Sequence, residues 1–297
     1  MRLSIGNAPC SWGVEFAGDP RNPSWTTVLD EAKTAGYCGI ELGPIGFMPE
    51  EPAVLRAALA ERGLTLIGGV LFRPFHDSKK WAEVKDAAIR TCRALAAHNA
   101  KRLVLIDSIS PRRASTAGRG SEAERLRGTD RFTFLERLKS VARMGTEEFG
   151  LDVTIHAHVA GFVEFEDELE DVINCVDPKI LGVCLDTGHS AYAGFDPVDF
   201  YLRHRQRISY LHFKDVNPIV RKRVIENRVG FYDACAAGLF CNLGQGMVDF
   251  LALRAALSSA GFSGWATVEQ DCDPKDLQSP LAHATANLTY LKTVGLA

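Results

Sequence analysis

The sequence predicts an α/β protein, a single-domain (β/α)8 (TIM) barrel spanning residues 1–297. Three observations lead there. Short apolar runs alternate with longer stretches of helical period, the runs are apolar nearly throughout, and the alternation repeats eight times. Such a pattern calls for parallel strands covered by helices. Eight units in somewhat more than about 250 residues fit a closed barrel better than a doubly wound sheet. A dinucleotide-binding sheet would carry G-x-G-x-x-G after its first strand, and "IGNAPCSWG" does not supply it.

In chain order the strand candidates are residues 3–8, 39–42, 65–70, 102–106, 152–156, 181–185, 210–213 and 266–269. Helix candidates lie between them. "SWTTVLDEAKTAG" offers Ser24 as N-cap, an apolar face with Val28, Leu29 and Ala32, and Gly36 as the stop. "MPEEPAVLRAALAERG" opens with Pro49 and acids and closes at Gly63, complementing the helix dipole. "SKKWAEVKDAAIRTCRALAAHNA", "DRFTFLERLKSVARMGTEEFG", "FEDELEDVINCV", "DPVDFYLRHR", "VDFLALRAALSSAG" and "PLAHATANLTYLKTV" continue the series. Residues 110–129 and 217–246 read as extended loops on the face where the strands end. The Arg-rich 112–127 stretch reads as a solvated loop, with a mobile lid or a phosphate grip as the sharper alternatives.

A net charge of −3 and 24% charged residues give no basic excess for nucleic acid or an anionic membrane. No apolar run approaches the roughly 20 residues of a membrane span. The first residues enter a strand without a secretory core, so the expected location is the cytoplasm. Eight cysteines are scattered singly, without a C-x-x-C pair, and read as small core residues. Cys10 and Cys184, near strand ends, are candidates for a pocket wall.

In a barrel the carboxyl ends of the strands converge on one mouth. Glu41 ends strand two, and strand three leads into "LFRPFHD" with His76. Asp107 ends strand four. Strand five presents His156 and His158, with Glu164 downstream. Strand six gives Asp186 and His189, strand seven His212, Lys214 and Asp215, and strand eight Glu269 and Asp271. One such histidine is usually structural; ionisable groups on nearly every strand from four to eight are another matter. Residues at i and i+2 share a strand face, so His156 and His158 can both point inward. Facing carboxylates would repel in a partly desolvated mouth, and a divalent cation resolves that repulsion. Mixed oxygen and nitrogen donors suit Mn2+ first, with Co2+ or Mg2+ as alternatives.

"APCSWGVEF", "GYCGIELGPIGFMP", "CLDTGHSAY", "YLHFKDVNPIVRKRV", "FCNLGQGMVDF" and "GWATVEQD" resemble the sugar phosphate isomerase/epimerase superfamily, the xylose-isomerase-like barrels. Within it they are most similar to the inosose dehydratase branch. The resemblance implies a divalent cation held by Asp186, His212, Glu269 and a fourth group. Glu164 follows an H-x-H pair as in that branch and is expected as the fourth ligand, with His156 as its rival. His189 matches the family's substrate-contacting histidine, and Lys214 its lysine. Gln245 stands where the branch commonly carries Glu.

On a polyhydroxylated ketone, the expected substrate, such a cation would stabilise an enediolate while a strand-end base takes the α-proton. Glu269 or a histidine is the candidate base; His189, His158 and Lys214 are candidates for acid or orienting group. Trp12, Glu41, His76, His156 and Arg221 are the substrate-binding candidates, Trp12 as an apolar wall for a ring face. The expected reaction is dehydration of a keto-cyclitol such as 2-keto-myo-inositol; the alternative is isomerisation or epimerisation of a keto-sugar. An apurinic endonuclease would need a basic DNA-facing surface, against the net charge. A non-catalytic sugar-binding barrel would not need so many ionisable groups at its mouth. The expected partner is a small molecule, with no nucleic acid and no membrane, and relatives of this kind are commonly homo-oligomers.

Overall fold

A computed structural model describes residues 2–271 and 280–297; Cys272 lies outside the described residues. In chain order run β1 (Arg2–Asn7), α1 (Trp25–Ala35), β2 (Gly39–Glu41), α2 (Pro52–Arg62), β3 (Thr65–Arg73), α3 (Trp81–Ala97) and β4 (Arg102–Asp107). There follow α4 (Pro111–Ala114), α5 (Gly128–Arg143), β5 (Asp152–Ile155), α6 (Glu166–Cys175), β6 (Gly182–Asp186), α7 (Thr187–Ala193), α8 (Pro197–His204) and β7 (Ile208–Phe213). The chain continues through β8 (Asp215–Val216), α9 (Pro218–Glu226), α10 (Phe231–Ala236), β9 (Phe240–Cys241), α11 (Phe250–Ser259), β10 (Ser263–Val268) and α12 (Pro280–Val294). Eight parallel strands close in the order β1-β10-β7-β6-β5-β4-β3-β2. The (β/α)8 barrel read from the alternation is the fold. Strands β8 and β9 form a separate antiparallel ribbon.

Period two explains why the strands are apolar on both faces. Val104, Ile106, Cys184 and Tyr210 pack with Val70, Phe72 and Trp265 into the lumen. Their chain neighbours Leu103, Leu105, Val183, Leu185 and Leu211, and Phe213 two residues further on, belong to the outer core under the helices. Each such side chain removed from water contributes roughly 1.5–3 kcal/mol. The caps explain the helix ends. The Ser24 hydroxyl accepts the N–H of Thr27, and Gly36 takes the left-handed turn at φ 96°. Helix α2 starts at Pro52 rather than Pro49, with the Glu51 side chain as its cap.

Residues 217–246 are not an extended loop. Asn217 caps α9 with Pro218 in its first turn, α10 follows, and β9 returns to pair with β8. The Asp215 carboxylate holds the return, accepting the N–H groups of Val216, Gly244, Gly246 and Val248 at 2.9–3.0 Å. A Cβ on Gly246 would lie 2.2 Å from Asp215 Oδ1, which is why "NLGQG" carries glycine there.

The 110–129 stretch is mostly exposed or half-exposed, as read, but Arg113 within it is not solvated. Arg113 is fully buried, its guanidinium paired with Glu164 and Glu168 against the rings of Phe162 and Phe165. Arg112 pairs with Glu124, Arg119 with Glu122, and Arg125 with Glu168. These guanidinium groups are taken up by the protein's own carboxylates, so the loop offers them to no phosphate. Among the described residues no helix is long and apolar enough to cross a membrane.

Candidate active site

The lumen rows continue upward into polar groups. Two residues above Cys184 comes Asp186; two above Tyr210 comes His212, then Lys214. Above Thr154 come His156 and His158, and above Thr267 come Glu269 and Asp271. Asp186 and His212 are register partners across β6 and β7.

His156, Asp186, His212 and Glu269 are all buried, and one donor atom from each lies within 4.8 Å of the others. His156 Nε2 stands 3.2 Å from Asp186 Oδ2, and His212 Nδ1 stands 3.1 Å from Glu269 Oε2. Yet His156 Nε2, Asp186 Oδ2 and His212 Nδ1 are buried without an aligned hydrogen-bond partner. Buried polar atoms are rarely left so, and several orphans aimed at one point mark a place for a cation. Two imidazole nitrogens and two carboxylates, with no thiolate, fit a divalent ion.

The other atoms of these residues are tied down. Asp186 Oδ1 caps α7, accepting the N–H of His189 at 2.7 Å. His212 Nε2 stands 3.0 Å from Glu41 Oε1, which also accepts the Tyr210 hydroxyl at 2.6 Å. Lys214 Nζ lies 2.8 Å from Asp271, 3.2 Å from Glu269 and 3.6 Å from Asp186. A Cβ on Gly188 would come within 2.6 Å of the Lys214 stem, so the glycine of "DTGH" makes room for the lysine.

Charge compensation runs through this group. Burial alone would favour neutral Lys214, but Asp186, Asp271 and Glu269 hold its ammonium well above the usual range. Burial would likewise raise Asp186, and Lys214 and His189 keep it well below the ordinary carboxylate value. His158 is pushed well down, first by burial and then by the neighbouring imidazoles. His158 Nδ1 lies 2.9 Å from the Val159 carbonyl, so it carries the proton and Nε2 holds a lone pair. The N–H of Val159 donates to His189 Nδ1 at 3.2 Å, so a neutral His189 carries its proton on Nε2, 3.5 Å from Asp271 Oδ2.

A cavity of about 440 Å3 opens over the cluster. Its polar lining includes His156, His158, His189, Lys214, Glu41, Glu269 and Asp271, with Glu15, Asp19, Arg21, Arg73 and Asp233 also on the wall. Phe72 and Phe231 supply apolar surface, with the Phe231 ring 5.2 Å from that of His158. Across the rim the Tyr232 hydroxyl donates to Glu15 Oε1 at 2.7 Å, joining α10 to the segment after β1. Burial pushes the Glu15 carboxyl up to about 7.

The structure thus brings together Asp186, His212, Glu269, His156, His158, His189, Lys214 and Glu41. Four expectations fall elsewhere. Glu164, expected as the fourth ligand, is occupied: it accepts the N–H groups of Gly118 and Ala160 and pairs with Arg113 at 3.2 Å. Its rival His156 is the fourth member of the buried group formed with Asp186, His212 and Glu269. Trp12 is packed in the outer core and donates its indole N–H to Glu31, so it forms no wall. His76 turns its ring to Asp107, 2.9 Å away, and lies outside the cavity wall, as does Arg221, which donates to the Tyr192 carbonyl. Cys10 lines the cavity, whereas Cys184 is lumen packing beneath it. Gln245 is exposed and outside the wall, so its departure from the branch pattern does not alter the site.

Sequence reasoning gave no role to Asp271, Tyr210, Glu15 or Tyr232. Asp271 and Tyr210 were legible as further steps of the two-residue ladders that hold Glu269 and His212. Glu15 and Tyr232 sit on irregular or inserted segments with no such period.

Over residues 29–294 the sequence matches the family described as xylose isomerase-like TIM barrel. The chain belongs to that family. It is 33% identical over 289 residues to the rhizopine catabolism protein MocC of Rhizobium meliloti, covering 96% of this chain and 86% of the relative. It is 29% identical over 297 residues to an inosose dehydratase of Geobacillus kaustophilus, covering 97% and 93%. The solved structure of the IolI protein, described with a bound zinc atom, superposes with a TM-score of 0.74 at 17% identity, over 99% of this chain and 98% of its own. The resemblance read from the motifs is borne out, and this xylose isomerase-like barrel is an enzyme rather than a non-catalytic sugar-binding barrel.

Proposed function

We propose that this barrel is a divalent-metal-dependent hydro-lyase that removes water from a keto-cyclitol of the 2-keto-myo-inositol type, in inositol catabolism, with Mn2+ as its working cation. The reading rests on one observation: a buried cluster with three orphaned atoms, on His156, Asp186 and His212, adjoins a cavity lined by His156 and Glu269 of the cluster and by His158, His189, Lys214 and Asp271, groups that can hold and move protons. The inosose dehydratase relative supports the substrate class. When bound, the cation supplies Lewis acidity that stabilises negative charge on the substrate's carbonyl oxygen.

The chain's own residues would act as follows. His156, Asp186, His212 and Glu269 hold the cation. His158, which lines the cavity and holds a lone pair on Nε2, would take the proton from the carbon next to the carbonyl. The β-carbon–oxygen bond then breaks, and the leaving hydroxyl departs as water with a proton from Lys214, whose ammonium is kept charged by its three carboxylates. Asp271 orients that ammonium at 2.8 Å, and once the proton has left, the neutral amine can accept from the Nε2–H of His189, 3.1 Å away. Phe231 and Phe72 keep bulk water from the ring face.

Incubation of the purified protein with Mn2+ and 2-keto-myo-inositol tests the reading. Growth of a conjugated dione absorbance is expected, and it should vanish with chelator. Uptake of solvent deuterium without water loss would assign epimerisation or isomerisation instead.

A further inference from the structure

Glu41 sits where the cation cluster meets the cavity wall. It ends β2, it is fully buried, and its two oxygens have different surroundings. Oε1 accepts from the Tyr210 hydroxyl and faces His212 Nε2; the same hydroxyl meets Thr267 Oγ1. Four side chains, each with no measurable exposure, therefore form one chain from β10 through β7 to β2. A neutral imidazole has one N–H and one lone pair. With Nε2–H directed to Glu41, the lone pair falls on Nδ1, the nitrogen that faces Glu269 in the cluster. Glu41 Oε2 is the other half of the problem: it is buried and has no hydrogen-bond partner, yet Glu41 forms part of the cavity wall. Leaving a buried acceptor unsatisfied costs about 1–3 kcal/mol, more for a charged one. A ligand that brings a donor recovers that cost.

We propose that one carboxylate serves both neighbours: Glu41 Oε1 positions His212 by fixing its tautomer, and Glu41 Oε2 accepts an O–H from a hydroxyl of the substrate. The substrate class follows from the second half. The atom needs a hydroxyl donor, which a polyol ring presents at every carbon; a carboxylate or ether oxygen in that place would meet an acceptor with an acceptor. Polyol binding and the cation site then share a residue. The first half rests on the cation reading alone. The second rests on a polyhydroxylated substrate and is independent of whether water is lost.

Glu41→Gln keeps the size of the side chain and tests both halves. Metal-free wild type and variant are first titrated calorimetrically with Co2+ alone; the variant should bind about 10–100-fold more weakly, as expected for loss of a group that orients a ligand. The Co2+-loaded proteins are then titrated with myo-inositol, a polyol without a carbonyl, followed through the visible Co2+ absorption. The variant should bind it roughly 10-fold more weakly, about 1.4 kcal/mol. Wild-type Co2+ affinity in the variant overturns the positioning role. Undiminished myo-inositol binding in the variant, or none by wild type, overturns the hydroxyl contact. If circular dichroism shows Glu41→Gln misfolded, Tyr210→Phe replaces it: Co2+ affinity should fall by a smaller factor, and no fall overturns the positioning role. Wild type that behaves as expected in both titrations but leaves 2-keto-myo-inositol unchanged would remove the dehydration reading and leave this one standing.

Discussion

Two buried clusters of acid and base lie beside the barrel mouth, and they differ in one respect. Around Glu164, Arg113 and Glu168, the carboxylate oxygens are met by guanidinium or backbone N–H donors within the protein. Around Asp186, donor and acceptor atoms approach to 3.1–3.2 Å without alignment, and three are orphaned. Both clusters are acidic, both are buried, and both lie near the end of β5. Residue type and burial do not distinguish them; partner counting does. A cluster whose carboxylate oxygens are all met has spent them on the fold, even though Arg113 Nε beside them is buried without a partner, whereas one with orphaned carboxylate and imidazole atoms has kept them for a ligand.

The strongest way to break this comparison is to neutralise one member of each. Asp186→Asn keeps an oxygen to cap α7 and removes a charged donor from the orphaned cluster. It should lower affinity for the cation by more than the roughly 10–100-fold that follows loss of an orienting group. His156→Gln should do the same to a lesser degree. Elemental analysis after gel filtration in Mn2+ reads both, and full retention of metal in Asp186→Asn would end the cation reading.

Glu164→Gln should show the opposite pattern. Cation content stays at the wild-type level, but the fold weakens. The new amide group would face an N–H or guanidinium donor, and Arg113 would keep only Glu168. Leaving a buried donor unmet costs roughly 1–3 kcal/mol, and because burial already disfavours the charged Glu164 this case falls at the low end. Urea unfolding at pH 8 measures it, above the value of about 7 to which burial raises Glu164 and despite the donors holding it down. Loss of metal with unchanged stability would reverse the roles of Glu164 and His156.

The same contrast explains what the sequence could tell. The barrel was legible because eight apolar runs and their helix caps are local signals, and Ser24 and Gly36 stand where the caps require. Asp186, His212 and Glu269 were legible because strand ends converge in any such barrel. The choice between Glu164 and His156 was not, because it turns on Arg113, some 50 residues away along the chain and hidden in what read as a solvated loop. Trp12, His76 and Arg221 failed for the same reason: their partners Glu31, Asp107 and the Tyr192 carbonyl are set by packing, not by spacing. Residues 217–246 read as a loop because two short helices and a two-residue strand carry too little period to register.

Glu15 lies between the two extremes and sharpens the comparison with the smallest effect. Its carboxylate accepts from the Tyr232 hydroxyl, and burial at the rim pushes its carboxyl up to about 7 against the weaker pull of that donor. The folded value exceeds the ordinary 4.5, so the folded state binds this proton more tightly than the unfolded chain. The stability it contributes is fully present below pH 4.5 and is lost as pH rises through about 7. Its partial exposure and the length of the chain keep the effect to roughly 1–2 °C in Tm between pH 5 and pH 8. Glu15→Gln removes the titration while keeping an acceptor for Tyr232, so its profile should be flatter by that amount. Tyr232→Phe removes the donor that favours the charged form, so its profile should be slightly steeper. Identical profiles for wild type and Glu15→Gln would mean that burial does not hold this carboxyl above its ordinary value.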